Sequence, residues 1–226
     1  MPETRRHLEL RTLLFTLLKT FGASHTVGSE QFVYWSASQS KRCLAPDAFV
    51  RLGVPDAPFD SWKTWERGAP ELAVEIVSHS DSAEESWEDK LAKYHDLGVR
   101  ELVRFDPEAA VGARLRVWDR IDEDLVERRV TDDRTACPTL GLWWAVTPVA
   151  PYPAGLRLTR DAEGKDFVPT PDEASEARAA AASALARAEA ERAKAEAERA
   201  KAEAEGRATA ERRIAELEAE LARRGG

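Results

Sequence analysis

The fold is decided by residues 70–77, Pro70-Glu71-Leu72-Ala73-Val74-Glu75-Ile76-Val77. Apolar side chains fill nearly every position from Leu72 to Val77, a pattern typical of a central strand that is covered on both faces. Glu75 interrupts this run with a charge, and a buried charge is costly unless it is paired or binds a metal. The stretch therefore predicts a buried strand whose carboxylate has a partner.

A second acidic residue stands in a similar setting upstream. Asp47 lies in Pro46-Asp47-Ala48-Phe49-Val50, and residues 47–52 are predicted to form another strand. Helices are predicted at 4–20 and 83–97, and further strands at 31–37, 101–105, 115–121, 125–130, 142–146 and 156–158. The segments 115–121 and 125–130 are predicted to pair as a hairpin, and the last two strands to add edges. This order indicates an α/β or α+β core, and we expect an α/β fold with a mixed central sheet flanked by helices.

The composition changes near Pro169-Thr170-Pro171. Residues 174–222 consist almost entirely of Ala, Glu, Arg and Lys, which predicts a long helix stabilised by intrinsic propensity and charge pairs. Three imperfect seven-residue copies follow one another at 187–193, 194–200 and 201–207. Because alanine at a seam buries little area, a weak coiled coil and a lone solvated helix both fit this pattern. We expect a domain at 1–168 and a helical extension at 169–226 that makes a homo-oligomer possible.

Composition also limits the class of protein. The 226 residues carry a net charge of −8, with an isoelectric point of about 5.2. This acidic balance disfavours a protein that coats phosphate backbones, although a local basic groove is compatible with it. Cys43 and Cys137 match no metal or redox spacing, and no stretch approaches the roughly 18 apolar residues of a membrane span. We therefore expect a soluble, cytoplasmic protein with no membrane association.

Asp47, Glu75 and Lys90 are the residue types that phosphodiester hydrolysis requires. Two carboxylates on adjacent strands can hold Mg²⁺ (or Mn²⁺), which prefers oxygen ligands and keeps several waters. Lys90, on the helix after the second strand, can place a positive charge near a phosphate or orient a water. The alternatives are a buried ion pair for Glu75, a turn or strand-end residue for Asp47 and a solvated cation for Lys90. Lys93 is the substitute if Lys90 points away.

The four histidines, His7, His25, His79 and His95, share no spacing that would indicate a metal cluster. His79 is the one nearest to the predicted site in sequence, where an additional base is an alternative role for it.

Several ordered motifs resemble the Uma family of restriction endonucleases, a bacterial branch of the PD-(D/E)XK nuclease superfamily. The matching segments are Pro46-Asp47, Glu75-Ile76-Val77-Ser78-His79-Ser80, Lys90-Leu91-Ala92-Lys93-Tyr94, Gly98-Val99-Arg100-Glu101 and Asp106-Pro107. The resemblance covers roughly residues 10–150 and implies a restriction-endonuclease-like core. It also implies that Asp47 and Glu75 bind the metal. The superfamily's usual lysine position is Val77 here, and the resemblance implies that Lys90 takes that role from the following helix.

These observations predict a magnesium-dependent endonuclease that hydrolyses DNA, with Asp47, Glu75 and Lys90 as its catalytic residues. The alternative is a catalytically inactive scaffold or binding protein that retains a nuclease fold and acts through its C-terminal helix.

Overall fold

The computed structural model describes residues 4–78 and 85–224 of the chain. The chain divides into two compact units, Met1–Pro171 and Asp172–Gly226. The boundary that the sequence predicts between residues 168 and 169 stays a prediction.

The first unit contains three helices and twelve strands among its described residues. The helices are α1 (Arg5–Leu18), α2 (Thr64–Arg67) and α3 (Trp87–Leu97), and a short 3₁₀ turn, Lys19–Phe21, follows α1. The strands are β1 (His25–Gly28), β2 (Val33–Tyr34), β3 (Cys43–Leu44), β4 (Ala48–Leu52), β5 (Trp62–Lys63), β6 (Leu72–Ile76), β7 (Glu101–Phe105), β8 (Leu115–Ile121), β9 (Asp124–Arg128), β10 (Arg134–Cys137), β11 (Leu142–Val149) and β12 (Tyr152–Thr159).

Six of these strands form the central sheet, in the order β1-β4-β6-β7-β8-β9. β6 and β7 run parallel, with α3 in the connection between them, and the other neighbours are antiparallel. A parallel pair needs such a crossover, whereas antiparallel strands can follow each other through short turns. The predicted α/β fold with a mixed central sheet is thereby confirmed.

Helices cover β6 on both faces. On one face, Leu14 and Leu17 of α1 share a core with Val74 and Ile76 of β6. On the other face, Tyr94 and Leu97 of α3 belong to a second core that includes Ala73 of β6. All five residues of β6 are buried, as the nearly continuous apolar run predicts.

Some elements differ from the sequence prediction. The segment 31–37 contributes only the two residues of β2, which pairs with β3 and β5 in a small separate sheet. The segments 142–146 and 156–158 lie within β11 and β12, which form another three-stranded sheet with β10 and do not extend the central one. Trp144 and Leu158 of this sheet pack into the core beneath α1. Local patterns predict strands, but they do not say which sheet a strand joins.

The second unit is dominated by one helix, α4 (Pro171–Arg224), which has 54 residues. The side chains described within residues 175–224 are exposed, and the largest apolar ones include Ile214 and Leu217, at 55% and 44% exposure. In the part of the chain that the structure describes, no helix combines the length and the apolar character needed to cross a membrane.

We predict that removing the chain after Pro171 lowers the oligomeric state. Pairing of α4 helices would bury Ile214 and Leu217, and the truncated protein lacks both residues. Sedimentation velocity of the two proteins at equal concentration measures the change, and Ile214→Glu with Leu217→Glu in the full chain should reproduce it. The same mass class for all three proteins would identify α4 as a solvated helix that does not pair.

Candidate active site

The Glu75 carboxylate lies in the central strand β6 and is only 4% exposed. Two side chains of α3 donate hydrogen bonds to it, one to each oxygen. Nζ of Lys90 lies 2.6 Å from Oε2, and the hydroxyl of Tyr94 donates to Oε1. Lys90 and Tyr94 are four residues apart and therefore lie on the same face of the helix. Glu75 is thus held as a paired and hydrogen-bonded carboxylate.

Capping interactions fix the position of α3. Ser86 precedes the helix, and its hydroxyl accepts a hydrogen bond from the main-chain N–H of Asp89 at 3.1 Å. Gly98 ends the helix with φ of 87°, a left-handed conformation that glycine adopts readily. The described helix begins at Trp87, so residues 85 and 86 of the predicted helix at 83–97 are not helical, and the predicted start at residue 83 falls outside the described residues. Residues 79–84, which include His79, lie outside the described part of the chain.

Asp47 lies immediately before β4 and is also 4% exposed. Its Oδ2 accepts a hydrogen bond from the main-chain N–H of Ile76, the residue after Glu75, at 2.6 Å. In the antiparallel register, Ala48 is opposite Val74, so the next pair along the strands is Asp47 and Glu75. The structure therefore brings the two predicted carboxylates to neighbouring positions at one end of β4 and β6.

The pKa of Glu75 is raised to about 7, mainly because burial disfavours its charged form. The charge of Lys90 opposes this rise, and the charge of Asp47 adds to it. The pKa of Tyr94 is raised well above its ordinary value, first by burial and then by the charge of Glu75. Tyr94 therefore stays protonated at neutral pH and remains a hydrogen-bond donor to Glu75.

His7 is a site residue that the sequence analysis did not assign. Its Nε2 lies 3.1 Å from Oδ1 and 3.2 Å from Oδ2 of Asp47. Arg11 follows one turn later on α1, with Nε 4.0 Å from Oδ1 of Asp47. The available signal is that His7 continues the buried stripe of α1 that includes Leu10 and Leu14, where a polar residue requires a partner.

The three predicted site residues lie close together in the fold. Lys90 contacts Glu75 directly, whereas Lys93, the substitute considered for it, forms an ion pair with Glu85. Tyr94 appears in the sequence motif, but its bond to Glu75 is visible only in the structure. Within residues 4–78 and 85–224, no group of three or more His, Cys, Asp or Glu side chains is arranged to hold a metal ion. The catalytic and metal-binding roles of the three residues stay predictions.

Comparison with known proteins identifies the family. The family described as "Uma2: Putative restriction endonuclease" matches residues 1–148, and the chain belongs to this family. A solved structure of a "putative nuclease belonging to DUF820" from Anabaena variabilis is similar, with 12% identity and a TM-score of 0.39, covering 62% of this chain and 75% of that chain. None of the curated proteins matches the sequence. The family resemblance inferred from the sequence motifs is thus confirmed.

We predict that Glu75 makes the metal-free protein less stable as the pH rises from about 4.5 to about 7. In this range the unfolded chain releases the Glu75 proton, whereas the folded protein retains it until its raised pKa of about 7. Glu75→Gln removes this dependence. Relative to the unchanged protein, the free energy of unfolding of the variant should therefore increase by on the order of 2–3 kcal/mol between pH 5 and pH 8.

Urea unfolding with a chelator present, at several pH values, measures this difference. Glu66→Gln, at a glutamate that pairs with Lys63 on the surface, is the control. Its free energy of unfolding should depend on pH in the same way as that of the unchanged protein. If Glu75→Gln shows the same pH dependence of the free energy of unfolding as the unchanged protein, the raised pKa of Glu75 is contradicted.

Proposed function

We propose that the protein is a Mg²⁺-dependent (or Mn²⁺-dependent) endonuclease that hydrolyses DNA phosphodiester bonds. The observation that carries this proposal is the Glu75 carboxylate, buried beside Asp47 and bonded at 2.6 Å to Nζ of Lys90. A buried strand rarely carries such a group for packing alone, because the desolvation penalty is large. Membership in the family described as "Putative restriction endonuclease" supports DNA as the substrate.

The residues present fit a magnesium ion. Each Glu75 oxygen accepts one described hydrogen bond, and a carboxylate oxygen has two lone pairs, so acceptor capacity remains on both. Asp47 supplies a second carboxylate. Mg²⁺ is usually bound in proteins through one or two carboxylates together with waters and substrate phosphate oxygens, so a cluster of three side chains is not required. When bound, the ion would stabilise negative charge on the phosphate and acidify water.

Each residue of the candidate site has a definite role in this proposal. Asp47 and Glu75 hold the cation, and the hydrogen bond from Ile76 N–H keeps Asp47 in place. Tyr94 fixes the orientation of Glu75 because it donates to one of the two oxygens. Lys90 carries a positive charge beside the site, where it orients the attacking water or binds a phosphate oxygen.

Lys90 also supplies the positive charge that is missing at position 77, where the chain has valine. Two residues after Glu75, Val77 has no charge to offer, whereas α3 brings an ammonium group to the same carboxylate from 15 residues further along the chain. A lysine stem is long and flexible, so a helix packed over the sheet can deliver the charge that the strand lacks.

Asp47→Asn and Glu75→Gln should each lower the rate of DNA cleavage by more than about 100-fold, because each variant removes a charge that holds the cation. Conversion of supercoiled plasmid to nicked and linear forms with Mg²⁺ or Mn²⁺ measures the rate, and Glu66→Gln serves as the control. Undiminished cleavage by Glu75→Gln would refute the assignment. An unchanged protein that neither cleaves DNA nor binds either metal by calorimetry would favour a scaffold with a nuclease fold.

Lys90 and Lys93 provide a matched pair of substitutions on the same helix. Lys90→Met should lower the cleavage rate by roughly 10²–10³-fold, because it removes the positive charge beside Glu75. Lys93→Met should leave the rate within about twofold, since Lys93 pairs with Glu85 on the surface. Equal rates for the two variants would exclude a catalytic role for Lys90.

A further inference from the structure

Three oxygen atoms converge on a single nitrogen beside the carboxylates. Nε2 of His7 lies 3.0 Å from the main-chain oxygen of Ile76, 3.1 Å from Oδ1 of Asp47 and 3.2 Å from Oδ2 of Asp47. Ile76 directly follows Glu75 in β6, so this convergence lies at the candidate active site. His7 is 9% exposed and Asp47 is 4% exposed, which keeps the group largely away from water.

These atoms supply more electron pairs than a single N–H can use. A ring nitrogen carries at most one proton, and one N–H makes one well-directed hydrogen bond. Ile76 N–H donates to Oδ2 of Asp47 and Nε of Arg11 lies 4.0 Å from Oδ1, but the main-chain oxygen of Ile76 and the remaining lone pairs of the carboxylate share the one N–H of His7. A buried group of this kind attracts a cation.

The distances also match those between ligands of one metal ion. Two ligands at right angles, each about 2.1 Å from an octahedral cation, lie about 3.0 Å from each other. The separations of Nε2 from the Ile76 oxygen and from Oδ1 of Asp47, at 3.0 and 3.1 Å, agree with this value. Nitrogen of histidine binds Zn²⁺, a first-row divalent ion, at a similar distance of about 2.0–2.1 Å.

The N-cap of α1 and the packing of this helix hold His7 in place for this contact. Thr4 is the N-cap of α1, and its hydroxyl accepts a hydrogen bond from the main-chain N–H of His7 at 3.2 Å. The leucines of α1 pack against the same face of the sheet as Ile76. His7 is thus set on a capped first turn that is fixed to the core.

We propose that Nε2 of His7 is a protein ligand of the divalent cation, together with Asp47 and the main-chain oxygen of Ile76. This inference rests on the proposed function, since it concerns the same metal site. In the metal-bound protein, Nε2 presents its lone pair to the cation and the ring proton is on Nδ1. Together with Glu75 of the proposed function, this set contains three side chains and one main-chain oxygen. The described residues do not already hold three such side chains in position for an ion, so binding of the cation must draw them closer together.

A nitrogen ligand changes the choice of metal. Mg²⁺ is a hard cation that takes oxygen ligands, whereas imidazole is a ligand of first-row transition ions. His7 therefore shifts the preference of the site from Mg²⁺ towards Mn²⁺. Replacing His7 should weaken Mn²⁺ binding more than Mg²⁺ binding.

Electron spin-echo spectroscopy of Mn²⁺ bound to the full chain tests the proposal directly, because it detects nitrogen-14 in the coordination shell without any need for activity. The unchanged protein should give a nitrogen coupling of the imidazole type, and His7→Gln should lose it. Glutamine retains an N–H donor for Asp47, so His7→Gln separates metal ligation from simple orientation of the carboxylate. Calorimetry should show Mn²⁺ binding weakened about tenfold or more in this variant.

His95→Gln is the matched control, because His95 also lies on a helix beside carboxylates, those of Asp96 and Asp124. It should retain both the nitrogen coupling and the Mn²⁺ affinity. Circular dichroism checks folding, and His7→Asn is a second variant if His7→Gln does not fold.

The outcomes separate this inference from the proposed function. Asp47-dependent Mn²⁺ binding with no nitrogen coupling, or a coupling that persists in His7→Gln, would overturn the role of His7 and leave the two-carboxylate site intact. Binding of Mg²⁺ without any binding of Mn²⁺ would overturn the role of His7 alone, and a complete lack of binding of either ion in the unchanged protein would overturn both.

Discussion

The rest of the structure depends on the burial of one carboxylate in the middle of β6. The sheet requires an apolar strand at this position, and Glu75 places a group there whose charged form is disfavoured by burial, as its pKa of about 7 reflects. Lys90 and Tyr94 offset part of that cost, but only if α3 has the correct register over the sheet. The packing of α3 on the sheet is therefore also what offsets the cost of burying the Glu75 carboxylate.

The sequence predicts the elements whose state is decided locally. The apolar run of β6, the amphipathic pattern of α3 and the alternating strands β8 and β9 are each visible in a short window. β1 is different, because residues 25–28 contain a single strongly apolar side chain and end in a glycine. Its strand conformation comes from pairing with β4, which is distant in sequence. Assignment of β11 and β12 to a separate sheet likewise depends on tertiary packing.

The candidate site also contains residues that the local sequence indicates and one that depends on the tertiary fold. Asp47 and Glu75 are predictable because a charge within an apolar run indicates a partner. Lys90 follows from its place on the helix after the second strand and from the family resemblance. His7 is different because its contact with Asp47 spans 40 residues of sequence. A histidine on the buried stripe of a helix resembles any polar residue at the boundary of a core, and only the fold identifies what it faces.

The order of the site residues along the chain has a consequence for biosynthesis. Polypeptides emerge from the ribosome N-terminus first, at about 5–20 residues per second. His7, Asp47 and Glu75 leave the exit tunnel before Lys90 and Tyr94, so β6 is exposed for a time without the donors that compensate its carboxylate. Closure of the sheet around β6 must wait for α3, and the nascent chain cannot assemble this centre before the crossover to β7 has been synthesised.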